Sequence, residues 1–226
     1  MIKRIGVTRN WVAIVFGMMS LLTSCGGSGE APKNHHRGVY MLIDTSGTYT
    51  RELDKAQNII KFLLTRLNPG DSFAVARIDT GSFSEKDIIA KVTFDDRPSM
   101  ANQQKRIFSD EVDEFVKKVK PASFTDISGG VLQAIEFLNE KNPGKKTILI
   151  FSDMKEDLEK GYVRDLQFKL NGFEVIALNV TKLASDNRDP NQYLARLEQW
   201  QKRIEAGGGS WRITNDMDQL EDVFVN

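Results

Sequence analysis

Residues 39–50 read VYMLIDTSGTYT. The run from Val39 to Ile43 is apolar at every position and stops on Asp44. A strand with one wet face alternates apolar and polar residues, whereas an unbroken apolar run belongs to a strand buried on both faces. The stretch therefore predicts a central parallel strand that ends at Asp44. The residues after Asp44 exceed the needs of a turn. Ser46, Thr48 and Thr50 place a hydroxyl at every second position, and Gly47 permits a tight bend.

Outward from this strand, the pattern alternates between helix and strand. Residues 51–68 carry Leu53, Ala56, Ile59, Ile60, Leu63, Leu64 and Leu67 at helical spacing, and NPGD stops them. SFAVARI and DIIAKVTF read as strands close enough to form a hairpin. A helix is predicted over 100–120, with Ile107, Phe108, Val112, Phe115, Val116 and Val119 as its buried stripe. ISGGVLQAIEFLNEK predicts another helix, and TILIFSD repeats the logic of the first strand by ending on Asp153. YVRDLQFKLNG is predicted helical, FEVIALNV a strand, QYLARLEQWQKRIEA a helix, SWRIT a short strand and MDQLEDVFV a closing helix. This order predicts a three-layer, doubly wound α/β fold. Its central sheet is mostly parallel with one antiparallel edge strand, and helices cover both faces. Ligands of such folds sit outside the carboxyl ends of the strands, where Asp44 and Asp153 both fall.

The whole chain has 226 residues, 40% of them hydrophobic, with 31 basic and 31 acidic side chains. That balance offers no basic face for nucleic acid. The start of the chain differs from the rest. Lys3, Arg4 and Arg9 precede an uncharged run over 11–23, which is short of the about 20 apolar residues a spanning helix needs. A basic start followed by such a run has the layout of a secretory signal peptide. LTSC ends it on Cys25, the single cysteine, and resembles the bacterial lipoprotein box. The expected organisation is a signal peptide over 1–24, a lipidated Cys25 with a Gly-rich tether to residue 38, and one domain over 39–226. Lipidation would attach the protein to the membrane. Gly26 stands where an Asp would signal inner-membrane retention, which favours the outer membrane. Removing Lys3, Arg4 and Arg9 leaves 28 basic against 31 acidic residues, a net charge of −3. His35 and His36 lie in the tether without a supporting shell and read as solvated residues.

Asp44, Ser46 and Thr48 stand at i, i+2 and i+4, so one turn can aim a carboxylate and two hydroxyls at one point. Hard oxygen donors suit Mg²⁺, which takes six ligands, so further loops must contribute. Thr125 in SFTDISGG and Asp153 in FSD are the candidates at the same edge. The ordered set resembles the metal-ion-dependent adhesion site of von Willebrand factor A domains. The resemblance runs from Val39 to about Val225 and includes NPGDSFAVARI and TDISGGVLQAI. It implies a site for Mg²⁺ or Mn²⁺ formed by Asp44, Ser46, Thr48, Thr125 and Asp153. Ser46 and Thr48 would bind directly, Asp44 and Asp153 largely through water, and Thr125 in either way. A protein partner's Asp or Glu would complete the shell, giving metal-dependent adhesion without catalysis. Thr48 replaces the usual Ser, and Met154 stands where a Gly often follows the last Asp.

Two other readings use the same residues. Caps explain one or two hydroxyls per helix start, with Thr125 or Asp126 capping ISGGVLQAI. That leaves a metal-free structural lipoprotein. A haloacid-dehalogenase-like phosphatase would use Asp44, Thr125, Lys145 or Lys146, and Asp153 with Asp157. It requires an acid where Ser46 stands, and serine cannot act as general acid or base near neutral pH. Asp79 and Ser82 read as a turn, Glu156 and Asp157 as a solvated helix start, and Trp200 and Trp211 as core or core-edge residues.

Overall fold

The structure, a computed structural model, describes residues 34–47, 49, 52–183, 186 and 189–225. Cys25, the signal segment and Thr48 lie outside the described residues. Strand β1 (Arg37–Asp44) is followed by helix α1 (Leu53–Arg66) and strand β2 (Ser72–Ile78). A 3-10 turn, Glu85–Asp87, leads into β3 (Ile88–Thr93), and α2 (Pro98–Lys118) and α3 (Ile127–Lys141) come next. The chain continues through β4 (Lys145–Phe151), β5 (Phe173–Leu178), α4 (Pro190–Ala206), β6 (Ser210–Thr214) and α5 (Met217–Val225). The sheet order is β3-β2-β1-β4-β5-β6, and only the β2–β3 pair is antiparallel.

The three-layer α/β arrangement follows from the period of the strands. Val39, Met41 and Ile43 face the core shared with α1, α2 and α5, while Tyr40 and Leu42 face the one shared with α3 and α4. All five are fully buried. Each such side chain contributes about 1.5–3 kcal/mol relative to exposure, so β1 is the anchor of both cores. The seven apolar residues read from residues 51–68 are likewise all buried.

Chain routing builds the functional edge. β1 leads to β2 on one side, and the chain later returns to place β4 on the other side. The crevice where strand order reverses therefore opens at the carboxyl ends of β1 and β4. α2 and α3 lie on opposite faces, so the segment between them must cross this edge of the sheet. That crossing carries Thr125 over the end of β1. The Ala122 amide donates to the Thr45 carbonyl (2.8 Å), and Thr125 and Asp157 exchange two backbone hydrogen bonds at 2.7 and 3.0 Å.

Three sequence expectations need correction. YVRDLQFKLNG forms no helix; residues 162–170 are irregular. Phe168 and Leu170 are buried there while Gln167 and Lys169 are exposed, the period of extended chain, and the Leu170 amide donates to the Gly207 carbonyl. Arg164 turns inward to Asp126 instead of facing solvent on a helix. Glu156 and Asp157 do not start a helix either. Glu156 accepts a hydrogen bond from the Ser128 amide, and Asp157 bridges to Thr125. Finally, Ile107 is 51% exposed, so the buried face of α2 is set by Ala101, Phe108 and Val112.

Candidate functional site

Asp44 ends β1, and Asp153 lies two residues past the end of the adjacent parallel strand β4. Ile43 is in register with Phe151, so the residues immediately after them, Asp44 and Ser152, are neighbours. Asp44 is 1% exposed and Asp153 4%. The Ser46 amide donates to Asp44 Oδ1 (2.8 Å), and the Ser152 hydroxyl donates to Asp44 Oδ2 (2.7 Å). The Lys155 amide donates to Asp153 Oδ1 (2.8 Å). Among the described residues, neither carboxylate has a salt-bridge partner.

Burial pushes the Asp44 carboxyl above its ordinary value; hydrogen bonds from Ser152 and from the amide and hydroxyl of Ser46 pull it back only in part. Burial also raises Asp153, and the charge of Asp44 adds to that rise. The Lys155 amide, Arg196 and Lys155 act against it without cancelling it. Two buried acids thus stand close enough to repel each other. A divalent cation between them would relieve both the desolvation and the repulsion.

The remaining donors line the same opening. Ser46, Gly47, Thr125, Asp153, Lys155 and Asp157 line a cleft of about 350 Å³. Among the described residues no three His, Cys, Asp or Glu side chains cluster at metal-binding distance. The donor set is two carboxylates and hydroxyls, hard oxygen ligands that fit Mg²⁺ or Mn²⁺. Thr48 would complete it and lies outside the described residues. Asp126 rather than Thr125 caps α3: its Oδ1 accepts from the Gly129 amide (2.8 Å). Thr125 is therefore not used as the cap. The lysines required by a phosphatase, Lys145 and Lys146, lie at the start of β4, at the opposite end of the strand from Asp153. They bond to the Val223 carbonyl and to Asn139.

Several supporting residues escape a reading of the sequence. Ser152, directly before Asp153, holds Asp44. Tyr49 packs edge-on to Phe151 at 5.5 Å, and its hydroxyl donates to the Asn179 carbonyl, anchoring the turn after Ser46. Arg196 donates to the Asp153 carbonyl (3.0 Å) and pairs with Asp186 (2.8 Å). Arg164 pairs with Asp126 at 2.7 Å, next to Thr125. Met154 takes φ 63°, the left-handed region that favours glycine, yet it is fully buried. The Trp200 indole donates to its carbonyl at 2.9 Å. Of these, only the alternation through Tyr49 and the Ser-Asp pair leave any trace in the sequence.

Comparison with known proteins places this fold. A von Willebrand factor type A structure from Catenulispora acidiphila is similar at a TM-score of 0.55 and 15% identity, covering 84% of this chain and 41% of that one. The open-conformation pilus adhesin SpaC from Lactobacillus rhamnosus GG is similar at 0.51 and 13% identity, covering 86% and 30%. The minor pilin PilB from Streptococcus sanguinis is similar at 0.51 and 12% identity, covering 86% and 61%. The chain therefore spans less than two thirds of each of these structures. It has the fold of the von Willebrand factor A domains. No protein-family model and no curated protein matches the sequence.

Proposed function

We propose that this chain is a lipid-anchored bacterial envelope protein that binds a protein partner through a divalent cation. Asp44, Ser46, Thr48, Thr125 and Asp153 would hold Mg²⁺ or Mn²⁺. An Asp or Glu of the partner would take a coordination position left open toward the cleft. The bound cation supplies a Lewis-acidic contact for that carboxylate. The chain's own residues supply the rest. Asp44 and Asp153 provide counter-charge, Ser152 and the Ser46 amide fix Asp44, and the Thr125–Asp157 bridge fixes the third segment. The reading is one of binding, not turnover.

The observation that carries it is the pair of buried, mutually repelling acids, neither of which has an ion-pair partner among the described residues. Apo, that arrangement costs stability, and folds retain such costs at functional sites. Cys25 supports the anchoring, as the end of an export segment in a lipoprotein-like box; Gly26 favours the outer membrane. Among the described residues no helix is long and apolar enough to cross a membrane.

Isothermal titration of the full chain with MgCl₂ and MnCl₂ tests the cation, and capture from envelope extracts tests the partner. Capture would compare wild type with Asp44→Ala, in Mg²⁺ and in chelator. Proteins retained only by wild type with Mg²⁺ are the expected result. No titration heat, together with identical capture in all four conditions, would leave the metal-free structural reading. Hydrolysis of a generic phosphate ester that is lost in Asp44→Asn would instead favour the phosphatase.

A further inference from the structure

A second pocket lies away from the metal cleft, between α3 and the link that joins β2 to β3. It holds about 180 Å³ and is lined by Phe83, Glu85, Gln133, Glu136, Phe137 and Glu140, among others. That volume is below the 300–1,000 Å³ of sites for drug-sized molecules and suits one long side chain. Gln133 is 7% exposed, and its Oε1 has no hydrogen-bond partner. A buried carbonyl oxygen left unpaired costs stability, so a donor that enters this pocket and reaches Gln133 Oε1 would relieve that cost.

The surroundings specify the donor's charge. All three ionisable residues lining the pocket are acids. Lys91 pairs with Glu85 at 2.6 Å, and Lys141 pairs with Glu140 at 2.8 Å. Among the described residues Glu136 has neither an ion pair nor a hydrogen bond, and it is exposed beside Gln133 on α3. The walls are aromatic. Phe137 is buried, while Phe83 is 49% exposed and held at φ 87°. A phenylalanine in that backbone region is an outlier, and its ring is turned to water at the mouth of the pocket. Phe137 already carries a cation: the Lys141 ammonium stands 5.7 Å from its ring centroid.

We propose that this pocket receives one arginine side chain of a partner protein. A guanidinium is planar and carries five donors. It can donate to Gln133 Oε1 and to the Glu136 carboxylate while stacking on an aromatic face. A lysine ammonium is more strongly hydrated and lacks the planar fork, so it fits less well. The site is independent of the metal cleft, and its test needs no divalent cation.

The probe is the tripeptide acetyl-Gly-Arg-Gly-amide, titrated into the full chain in chelator and followed by the side-chain amide NMR signal of Gln133. Saturable shifts at Gln133 and Phe83 are expected. Replacing Arg by citrulline, which keeps the shape and removes the charge, should abolish them. Glu136 is exposed, so Glu136→Gln keeps the fold and should weaken binding by up to about fivefold. Gln133→Leu should weaken it by about tenfold, with a thermal melt reporting that the variant is folded. Binding of citrulline equal to that of arginine would overturn the proposal. So would undiminished binding to both variants, or the absence of any saturable shift.

Discussion

The Ser152 hydroxyl donates a 2.7 Å hydrogen bond to Asp44 Oδ2 across the boundary between β1 and β4. The Ser152 Oγ itself accepts from the Met154 amide at 3.0 Å. One small buried side chain therefore fixes the carboxylate of one strand and the loop after the other. Ser152→Ala leaves a buried acceptor and a buried amide short of partners, at about 1–3 kcal/mol. For a domain of this size each kcal/mol shifts Tm by about 2–4 °C, so a Tm lower by several degrees is expected in calorimetry. An unchanged Tm would show that the two groups find other partners.

Asp153→Asn separates charge from shape. Its amide oxygen can still accept from the Lys155 amide, while the repulsion with Asp44 disappears. Without metal, the variant should melt at or above the wild-type temperature. The rise in Tm expected of wild type with Mg²⁺ should be absent from the variant. A variant that melts lower in chelator would mean that the pair is not a source of apo strain.

The pH dependence rests on the direction of the two shifts. Asp44 and Asp153 have folded pKa values raised above their unfolded values, chiefly by burial. The ionised pair thus costs apo stability at neutral pH. Lowering the pH through the raised values removes that cost, and the recovery is complete near the ordinary aspartate range of about 4. Bound cation reverses the sign, because protons then compete with it. The gap in Tm between Mg²⁺ and chelator should therefore shrink steadily from pH 7 to pH 5. A gap that is flat or widens over this range would contradict the assignment.

Arg164 and Asp126 form a part-buried pair beside Thr125, with side-chain exposures of 18% and 1%. Arg164→Met takes from Asp126 its partner in a part-buried, charge-assisted hydrogen bond, at a cost of about 1.5–3 kcal/mol. Arg164→Met with Asp126→Asn should recover most of that loss, since Asn can still cap α3 at the Gly129 amide. Urea unfolding of wild type, both single variants and the double variant measures the coupling. Strict additivity would show that the pair is not a unit.

At Met154 two effects oppose each other. Glycine would relieve a left-handed backbone worth about 1–2 kcal/mol. It would also remove a fully buried side chain, which costs about 2–5 kcal/mol. Burial wins, so Met154→Gly should lower urea stability by roughly 1–3 kcal/mol. A stabilised variant would mean that the strain exceeds the packing.

Much of the fold is local and is legible from the residues alone. VYMLID and TILIFSD read as two-sided strands because Val39–Ile43 and Ile148–Phe151 are unbroken apolar runs that stop at a polar strand end. α3 runs over the predicted ISGGVLQAIEFLNEK because its period and caps are local. The two glycines in that helix have a reason only the tertiary structure reveals. A Cβ on Gly129 would lie 2.6 Å from the Ser82 carbonyl oxygen, and one on Gly130 would meet Leu42 at 2.8 Å. Pattern also put Asp44 at the end of β1 and Asp153 just past β4, while Thr125 reaches that edge only through the crossing between α2 and α3.

Pattern alone could not determine the features that depend on distant partners. Residues 162–170 have helical composition, but Asp126, distant in sequence, takes Arg164, and Phe168 and Leu170 are drawn into the core in extended chain. The support for Asp44 comes from Ser152, and the pocket acceptor on Gln133 is orphaned by the residues around it. Burial, repulsion and unpaired acceptors are properties of neighbours in space. A single chain of letters specifies those neighbours only by folding, so the strain at Asp44 and Asp153 was decided by tertiary structure alone.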